Sequence, residues 1–172
     1  MINIDPKVIL KYLLIAVLFF ISASLLGHLY VFYFNEGQRR FITFMFDMDE
    51  EFNFPAYFSS FILAASSMLL LIIAVITKQN KQRYAFHWGL LGIIFLYLSM
   101  DEILRLHEQT ASHFRYLLNT SGIFYFAWVI PAMIILFVLF IIYIGFLNNL
   151  QKPFAKYFIV CGIIFVTGAL GF

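Results

Sequence analysis

The stretch that decides the fold runs from residue 8 to residue 34 and reads VILKYLLIAVLFFISASLLGHLYVFYF. Only Lys11 and His28 interrupt its apolar character. A helix of this length would measure about 40 Å, which exceeds the roughly 30 Å hydrocarbon core of a bilayer. The segment therefore predicts a first transmembrane helix. Because the apolar run continues well beyond Ser24, its length favours an uncleaved anchor over a cleaved signal peptide.

Further apolar segments occur at residues 55–77, 84–100, 123–147 and 154–172. Asn53 as N-cap and Pro55 in the first turn mark the start of the second span. No Gly or Pro follows the third span closely, which predicts a helical extension to about residue 118. We therefore predict an all-α polytopic transmembrane bundle with about five spans, in a single domain over residues 1–172. The apolar end of the sequence leads us to expect a natural chain that extends beyond Phe172.

The composition of the chain supports this fold class. Its 172 residues are 63% hydrophobic and only 12% charged, with a mean hydropathy of +0.93. Soluble domains carry about a quarter charged residues. These values exclude soluble enzymes, nucleic-acid-binding proteins and disordered chains. The expected partners are membrane lipids, together with other membrane subunits or a second copy of the chain.

The distribution of Lys and Arg predicts the orientation. A cytoplasmic N-terminus places more of them inside than outside: Lys7, Lys11, Lys78, Lys81, Arg83, Lys152 and Lys156 against Arg39, Arg40, Arg105 and Arg115. The positive-inside rule favours that orientation. Every acidic residue except Asp5 then falls on the extracytoplasmic side. We expect a bacterial inner-membrane protein with an acidic outer face.

The first outer segment, residues 38–48, combines an amphipathic pattern with acidic residues. Phe41, Phe44, Met45 and Met48 recur at i, i+3, i+4 and i+7, which predicts an amphipathic helix on the outer membrane surface. The acidic stretch 47–51 follows. Its carboxylates either contribute to a binding site or complement the dipole of the second span while remaining solvated.

The second outer segment continues from the third span. In a continuous helix Asp101, Arg105 and Glu108 share a face, so that a structural salt-bridge array is one interpretation. Glu102 and His107 project elsewhere, and a metal site would need ligands from other segments. The candidate functional cluster comprises Asp101, Glu102, Arg105, His107, Glu108, Asp49, Glu50 and Glu51. The candidate metal ligands are Asp101, Glu102, His107, Glu108, His28 and His113.

Mixed carboxylate and imidazole ligands suit zinc, iron or manganese. The spacing of these residues matches neither the Glu-xx-His pattern of di-iron bundles nor the His-Glu-xx-His pattern of zinc proteases. The sequence therefore indicates a divalent metal only as a hypothesis, and it leaves open whether the protein is an enzyme.

Two motifs carry a resemblance to a known group of proteins. They are Leu98-Ser99-Met100-Asp101-Glu102 with His107-Glu108, and the segment 51–60, Glu-Phe-Asn-Phe-Pro-Ala-Tyr-Phe-Ser-Ser. The sequence resembles bacterial multi-pass membrane proteins with a Leu-Ser-Leu-Asp-Glu…His-Glu pattern, from which Met100 departs conservatively. The resemblance also includes the terminal Gly168-Ala-Leu-Gly. It implies that the two outer segments belong together and that the chain continues past its last helix, but it implies no activity.

Three functions remain open at this point. The first is a transport-related or accessory subunit whose outer acidic and histidine cluster binds a cation, a partner or a lipid headgroup. The second is a membrane-embedded, metal-dependent lipid hydrolase. The third is a structural subunit of a larger membrane complex.

Overall fold

The computed structural model describes residues 5–34, 41–107 and 129–171. Every element of regular secondary structure in these ranges is helical, as predicted. The helices are α1 (Pro6–Phe34), α2 (Phe41–Met45), α3 (Phe54–Gln79), α4 (Ala85–Leu104), α5 (Val129–Asn149) and α6 (Lys152–Gly171).

Four of these helices are long and apolar enough to cross a membrane. They are α1, α3, α4 and the part of α5 from Pro131. α1 contains no buried residue although it is almost entirely apolar, which is the expected state of a helix that contacts lipid or another subunit. The prediction of a polytopic membrane protein is thus supported for four spans. The fifth predicted span forms α6, and its crossing of the membrane stays a prediction.

Asn53 fixes the start of α3, as the sequence predicted. Its side-chain Oδ1 accepts a hydrogen bond from the Ala56 N–H at 3.1 Å, which is the N3 position of the helix. Its Nδ2 group donates to the carbonyl oxygens of Phe44 and Asp47. Asn53 is fully buried, and it therefore both caps α3 and holds the preceding loop against the helix.

The helix predicted over residues 38–48 is shorter in the structure. α2 ends at Met45, and the chain then turns, with the Phe46 N–H donating to Thr43 and the Asp47 N–H to Phe44. The bonds from Asn53 to the carbonyl oxygens of Phe44 and Asp47 stabilise this turn instead of another helical turn. Residues 38–40 lie outside the described ranges.

α3 and α4 both end at a residue with left-handed backbone conformation. Lys81, with φ 51°, closes α3 in a Schellman motif in which the Lys81 N–H donates to Lys78 and the Gln82 N–H to Thr77. Arg105, with φ 53°, closes α4 by an N–H bond to the Asp101 carbonyl at 2.8 Å. A straight helix through Arg105, as predicted, is therefore interrupted there. Residues 108–118 of the predicted extension lie outside the described ranges.

The chain divides into two compact units. The first comprises residues 1–67 and 94–105, and the second comprises residues 68–93 and 106–172. α3 and α4 each contribute to both units. Whether residues 1–172 form one domain stays a prediction.

The second unit packs around an aromatic core. Phe146 of α5 is 2% exposed. The His87 ring stacks on it with centroids 5.6 Å apart, and Trp88 meets it edge-on at 4.9 Å. The Tyr143 hydroxyl donates to the His87 carbonyl at 2.7 Å. These contacts join α4 to α5.

Glycines bring α3 and α4 close together in the same unit. A Cβ atom added at Gly92 would lie 2.8 Å from the Leu71 Cγ and 3.3 Å from the Leu71 backbone nitrogen, whereas one added at Gly89 would meet Ala74 at an ordinary 3.7 Å. Gly92 is therefore the position at which only hydrogen fits between the two helices.

Candidate functional site

His28 and the 43–49 segment form the candidate site, and the segment packs against α1 at Gly27. A Cβ atom added at Gly27 would meet the Thr43 side chain at 3.6 Å, so that α2 lies directly against α1 at this level. Further along the segment, the Met48 N–H donates to the Ser24 hydroxyl at 3.2 Å. Two contacts one helical turn apart on α1 therefore hold the 43–48 segment beside His28.

Asp47 is the buried acid of the site, with a side chain that is 5% exposed. Its Oδ1 accepts the Asp49 N–H at 3.1 Å, which is the hydrogen bond of an Asx turn. The carbonyl of Asp47 accepts a bond from Asn53. Both the carboxylate and the main chain of Asp47 are thus held in place by the loop and by the cap of α3.

The imidazole of His28 faces two carboxylates. Its Nε2 lies 3.3 Å from the Asp47 Oδ1 and 4.0 Å from the Asp49 Oδ2. One ligand atom from each of the three residues lies within 4.8 Å of the other two. Within ranges 5–34, 41–107 and 129–171, this is the one group of three or more such side chains that fits around a common ion.

An open pocket adjoins this group. It has a volume of about 320 Å³ and is lined by Ser24, Gly27, His28, Val31, Phe32, Thr43 and Asp47. The lining therefore combines hydroxyl, imidazole and carboxylate groups with apolar carbon. A group bound at His28 and Asp47 would be accessible from this pocket.

A second polar contact joins the acidic stretch to the end of α4. Arg105 forms an ion pair with Glu51 through its Nε, and its Cζ lies 5.6 Å from the centroid of the Phe52 ring. Phe52, like Arg105, has a positive φ, of 58°. Two non-glycine residues in the left-handed region thus meet at one contact. Strained conformations of this kind persist only where surrounding interactions hold them.

Two buried serines connect α3 with α4 just beyond this contact. The Ser60 hydroxyl donates to the Ser99 carbonyl at 2.8 Å, and the Ser99 hydroxyl donates to the Ser60 carbonyl at 2.9 Å. The serines are 3% and 6% exposed. Each motif that carries the family resemblance contributes one of these serines. The Glu51–Arg105 pair joins the first residue of the 51–60 motif to the stretch between the two parts of the other motif. The two segments are therefore in contact, as the resemblance implied.

The structure brings together some of the predicted site residues. His28 lies beside Asp49, and Glu51 pairs with Arg105. Asp101 and Glu102 occupy the last turn of α4, and His107 follows the break at Arg105. None of these last three, nor Glu50, joins a three-residue ligand group in the described part of the chain. Glu108 and His113 lie outside it.

The named candidate cluster left out Asp47, although the acidic stretch 47–51 includes it. In a helix over residues 38–48, Asp47 falls on the polar face and would be solvated. The structure instead ends α2 at Met45 and buries Asp47. The signal that could have identified it is the Asp47-Met48-Asp49 sequence, because an aspartate readily accepts a hydrogen bond from the main chain two residues on and so starts a turn.

A family model described as a domain of unknown function, DUF8692, matches residues 9–172. The chain belongs to this family. The DUF8692 match covers α1 from its fourth residue together with every later helix, so that both units and the whole candidate site fall within it. Comparisons with curated proteins and with solved structures find no match. The family thus adds no activity, and the function has to be argued from the site.

Proposed function

We propose that this protein is a transport-related or accessory membrane subunit that binds a divalent transition-metal ion through His28, Asp47 and Asp49. The observation that carries the proposal is the proximity of one imidazole nitrogen and two carboxylate oxygens, all within 4.8 Å of one another. Zinc, manganese and iron accept this combination of ligands.

The distances are close to those of a coordination sphere. Zinc binds nitrogen and oxygen ligands at about 2.0–2.2 Å, which places neighbouring ligand atoms about 3.0–3.5 Å apart. The His28–Asp47 distance of 3.3 Å falls in this range. Asp49 is farther away, at 4.0 Å, but its side chain is 72% exposed and has room to rotate toward the ion. Buried Asp47 supplies the fixed ligand and exposed Asp49 the adjustable one.

The proposed orientation of the spans determines which side of the membrane the metal group faces. We infer that the N-terminus is cytoplasmic, because Lys and Arg are more numerous at the ends of the spans that then face inward. The resemblance to bacterial multi-pass membrane proteins supports a bacterial inner membrane. His28 lies near the other end of α1. In this orientation the metal group faces the extracytoplasmic side, from which an ion would enter.

Metal analysis of the purified full-length protein tests the proposal. We expect about one equivalent of zinc or manganese after dialysis against that metal. His28→Ala should weaken the affinity by more than about tenfold, because the loss of a ligand exceeds the tenfold effect typical of groups that merely orient one. His107→Ala should bind as the native protein does.

The His28→Ala and His107→Ala variants distinguish a metal site at His28, Asp47 and Asp49 from one at the end of α4. If His107→Ala loses the metal and His28→Ala retains it, the site lies at the end of α4 and the proposed ligand set is wrong. If neither the native protein nor any variant retains metal, the His28–Asp47 contact is a hydrogen bond without a metal function. His87→Ala serves as a further control, because His87 packs in the aromatic core of the second unit.

The pocket supports a second candidate function, a metal-dependent hydrolase acting on lipid. Three protein ligands leave a coordination position open for water or substrate, and an open pocket of about 320 Å³ borders His28 and Asp47. Release of labelled product from lipid vesicles by the metal-loaded protein, abolished in Asp47→Asn, would favour the hydrolase. Metal binding without any turnover would favour the transport-related or accessory function.

A further inference from the structure

The charged residues of the second unit are all basic in the part of the chain that the structure describes. They are Lys78, Lys81, Arg83, Lys152 and Lys156, which we call the basic face. All five side chains are exposed. None of them forms an ion pair with another described residue. The acidic residues of the described ranges, by contrast, all belong to the first unit.

The helix ends and the loop that carry the basic face are joined to each other: Lys78 lies in the last turn of α3, Lys81 and Arg83 lie in the loop after it, and Lys152 and Lys156 lie in the first turns of α6. Asn149, which ends α5, donates from its Nδ2 to the Tyr84 hydroxyl at 2.8 Å and to the Gly145 carbonyl at 2.8 Å. The Arg83 Cζ lies 5.1 Å from the centroid of the Tyr84 ring. The loop between α3 and α4 is therefore attached to the end of α5, three residues before Lys152. This attachment gathers the two groups of cations at one end of the unit.

The lengths of the loops determine the depth of the basic face in a membrane. Residues 80–84 separate α3 from α4, and only residues 150–151 separate α5 from α6. Because α3, α4 and α5 are apolar enough to cross the membrane, cations in these short connections and in the adjoining helix ends lie at the level of the lipid headgroups. Exposed aromatic side chains, Phe86 and Tyr157, flank the loops, as is typical of a membrane interface.

We propose that the basic face binds the headgroups of anionic phospholipids, such as phosphatidylglycerol, and thereby gathers these lipids around the second unit. Cations near a membrane surface attract anionic lipids, and the attraction grows with each Lys or Arg. A soluble polyanion such as a nucleic acid is a poorer fit, since the cations lie at headgroup depth in loops too short to project beyond it. The proposal is independent of the metal site, because the basic face contains none of the metal ligands.

Fluorescence quenching measures this preference directly. The chain contains two tryptophans, and Trp128→Phe leaves Trp88 as the single reporter. Trp88 packs against Phe146 and Phe158, in the same unit as the basic face. The full-length protein would be reconstituted into phosphatidylcholine vesicles that contain brominated phosphatidylglycerol or, in parallel, brominated phosphatidylcholine. We expect the anionic lipid to bind about fivefold or more tightly relative to phosphatidylcholine at low salt.

Charge variants separate electrostatic binding from other causes. Lys152→Gln with Lys156→Gln should reduce the preference severalfold, whereas Lys152→Arg with Lys156→Arg should retain it. Gln79→Lys with Gln82→Lys adds charge at exposed positions and should raise it. About 1 M salt should remove it, because the Debye length falls to about 3 Å.

Several results would overturn the proposal. Equal quenching by the two brominated lipids in the native protein would do so, as would a preference that survives high salt. If the double glutamine variant prefers the anionic lipid as strongly as the native protein does, Lys152 and Lys156 do not bind the headgroups. The variant with Gln79→Lys and Gln82→Lys keeps the proposal testable if the double glutamine variant misfolds. If this variant does not raise the preference for the anionic lipid, the proposal is also contradicted.

Discussion

The two units hold the same pair of helices together by different physical means. In the first unit, Ser60 and Ser99 exchange hydrogen bonds between α3 and α4, and Arg105 at the end of α4 pairs with Glu51. In the second unit, Gly92 lets Leu71 approach, and α4 packs against α5 through aromatic rings. The polar connections occur in the unit that also holds the three-residue metal-ligand group. The second unit also has directional bonds, between α4 and α5, so the contrast concerns the α3–α4 contact: there the described hydrogen bonds lie in the unit with the candidate site.

Hydrogen bonds position groups more strictly than apolar packing does, because they depend on angles as well as distances. Aromatic and aliphatic packing fills volume and tolerates small rotations, whereas a buried hydroxyl or carboxylate without its partner costs about 1–3 kcal/mol. Asp47 and Asn53 are buried polar residues of this kind. A loop held by them keeps its conformation even where few apolar contacts are available.

Removal of Asn53 should have the largest effect and would show how far the first unit depends on polar groups. Asn53→Ala removes the cap of α3 and leaves the carbonyl oxygens of Phe44 and Asp47 without that donor. We expect a loss of about 2–4 kcal/mol in the free energy of unfolding, measured by denaturant titration in detergent. Metal affinity should fall as well, because the loop holding Asp47 loosens.

Asn53→Asp is the matched variant for this prediction. It retains an oxygen that caps Ala56, but it sets a buried carboxylate oxygen against the carbonyl oxygens of Phe44 and Asp47, so that its cost should be at least that of alanine. Equal stability of the alanine variant and the native protein would contradict the role assigned to Asn53.

Gly92 provides the corresponding test in the second unit. Gly92→Ala places a methyl group 2.8 Å from the Leu71 Cγ, and we expect a loss of about 1–3 kcal/mol from overpacking. Gly89→Ala, where the new methyl group meets Ala74 at 3.7 Å, should change stability by less than about 0.5 kcal/mol. Thermal unfolding of both variants in the same detergent distinguishes them. Equal costs would show that Gly92 is not the close contact.

The two left-handed helix ends give a third test, with effects of opposite sign. Lys81→Gly relieves the left-handed backbone of an exposed residue and should stabilise the protein by about 1 kcal/mol. Arg105→Gly relieves the same conformation but removes the ion-pair partner of Glu51. A half-buried charged group that loses this partner costs about 1–3 kcal/mol, so the net result should be a loss of about 1 kcal/mol.

Denaturant titration of both glycine variants measures the sign directly. A gain in stability for Arg105→Gly would mean that the ion pair contributes less than the backbone strain costs. Arg105→Lys, which keeps the charge but cannot reproduce the planar guanidinium, should fall between the native protein and the glycine variant.

The smallest effect is expected for the serine pair. A double-mutant cycle of Ser60→Ala and Ser99→Ala should give a coupling energy of about 0.6 kcal/mol, with an upper limit of about 1.7 kcal/mol, as found for polar pairs between membrane helices. Ser59→Ala is the control, since Ser59 is exposed. A coupling of zero would mean that the two hydroxyls find other partners as readily.

Hydropathy and capping signals in the sequence were sufficient to predict most of the fold. The first span was predicted at residues 8–34 and is observed at Pro6–Phe34, and Asn53 begins α3 as predicted. These features depend on residues close together in the chain. The ends of α2 and α4 were not predicted, because they depend on Asn53 holding distant carbonyls and on Glu51 pairing with Arg105.

The site was predictable only in part for the same reason. His28 was predicted as a metal ligand and Asp49 as a member of the functional cluster, and the structure places them 4.0 Å apart. Asp47 was considered only as part of the acidic stretch 47–51, because its burial follows from the turn that replaces the end of the predicted helix. Asp101 and Glu102 remain predictions, since proximity to an apolar span does not specify which side chain they meet.

The serine pair also determines which parts of the first unit are able to move. Packed helices shift past one another in steps of about one turn, or 5.4 Å. Such a step would separate Ser60 from Ser99 and strand two hydroxyls in an apolar interior. The pair therefore favours the observed register of α3 against α4. The described lining of the pocket beside His28 comes from α1 and the 41–49 segment, so a motion that widens it involves these two elements rather than a shift of α3 along α4.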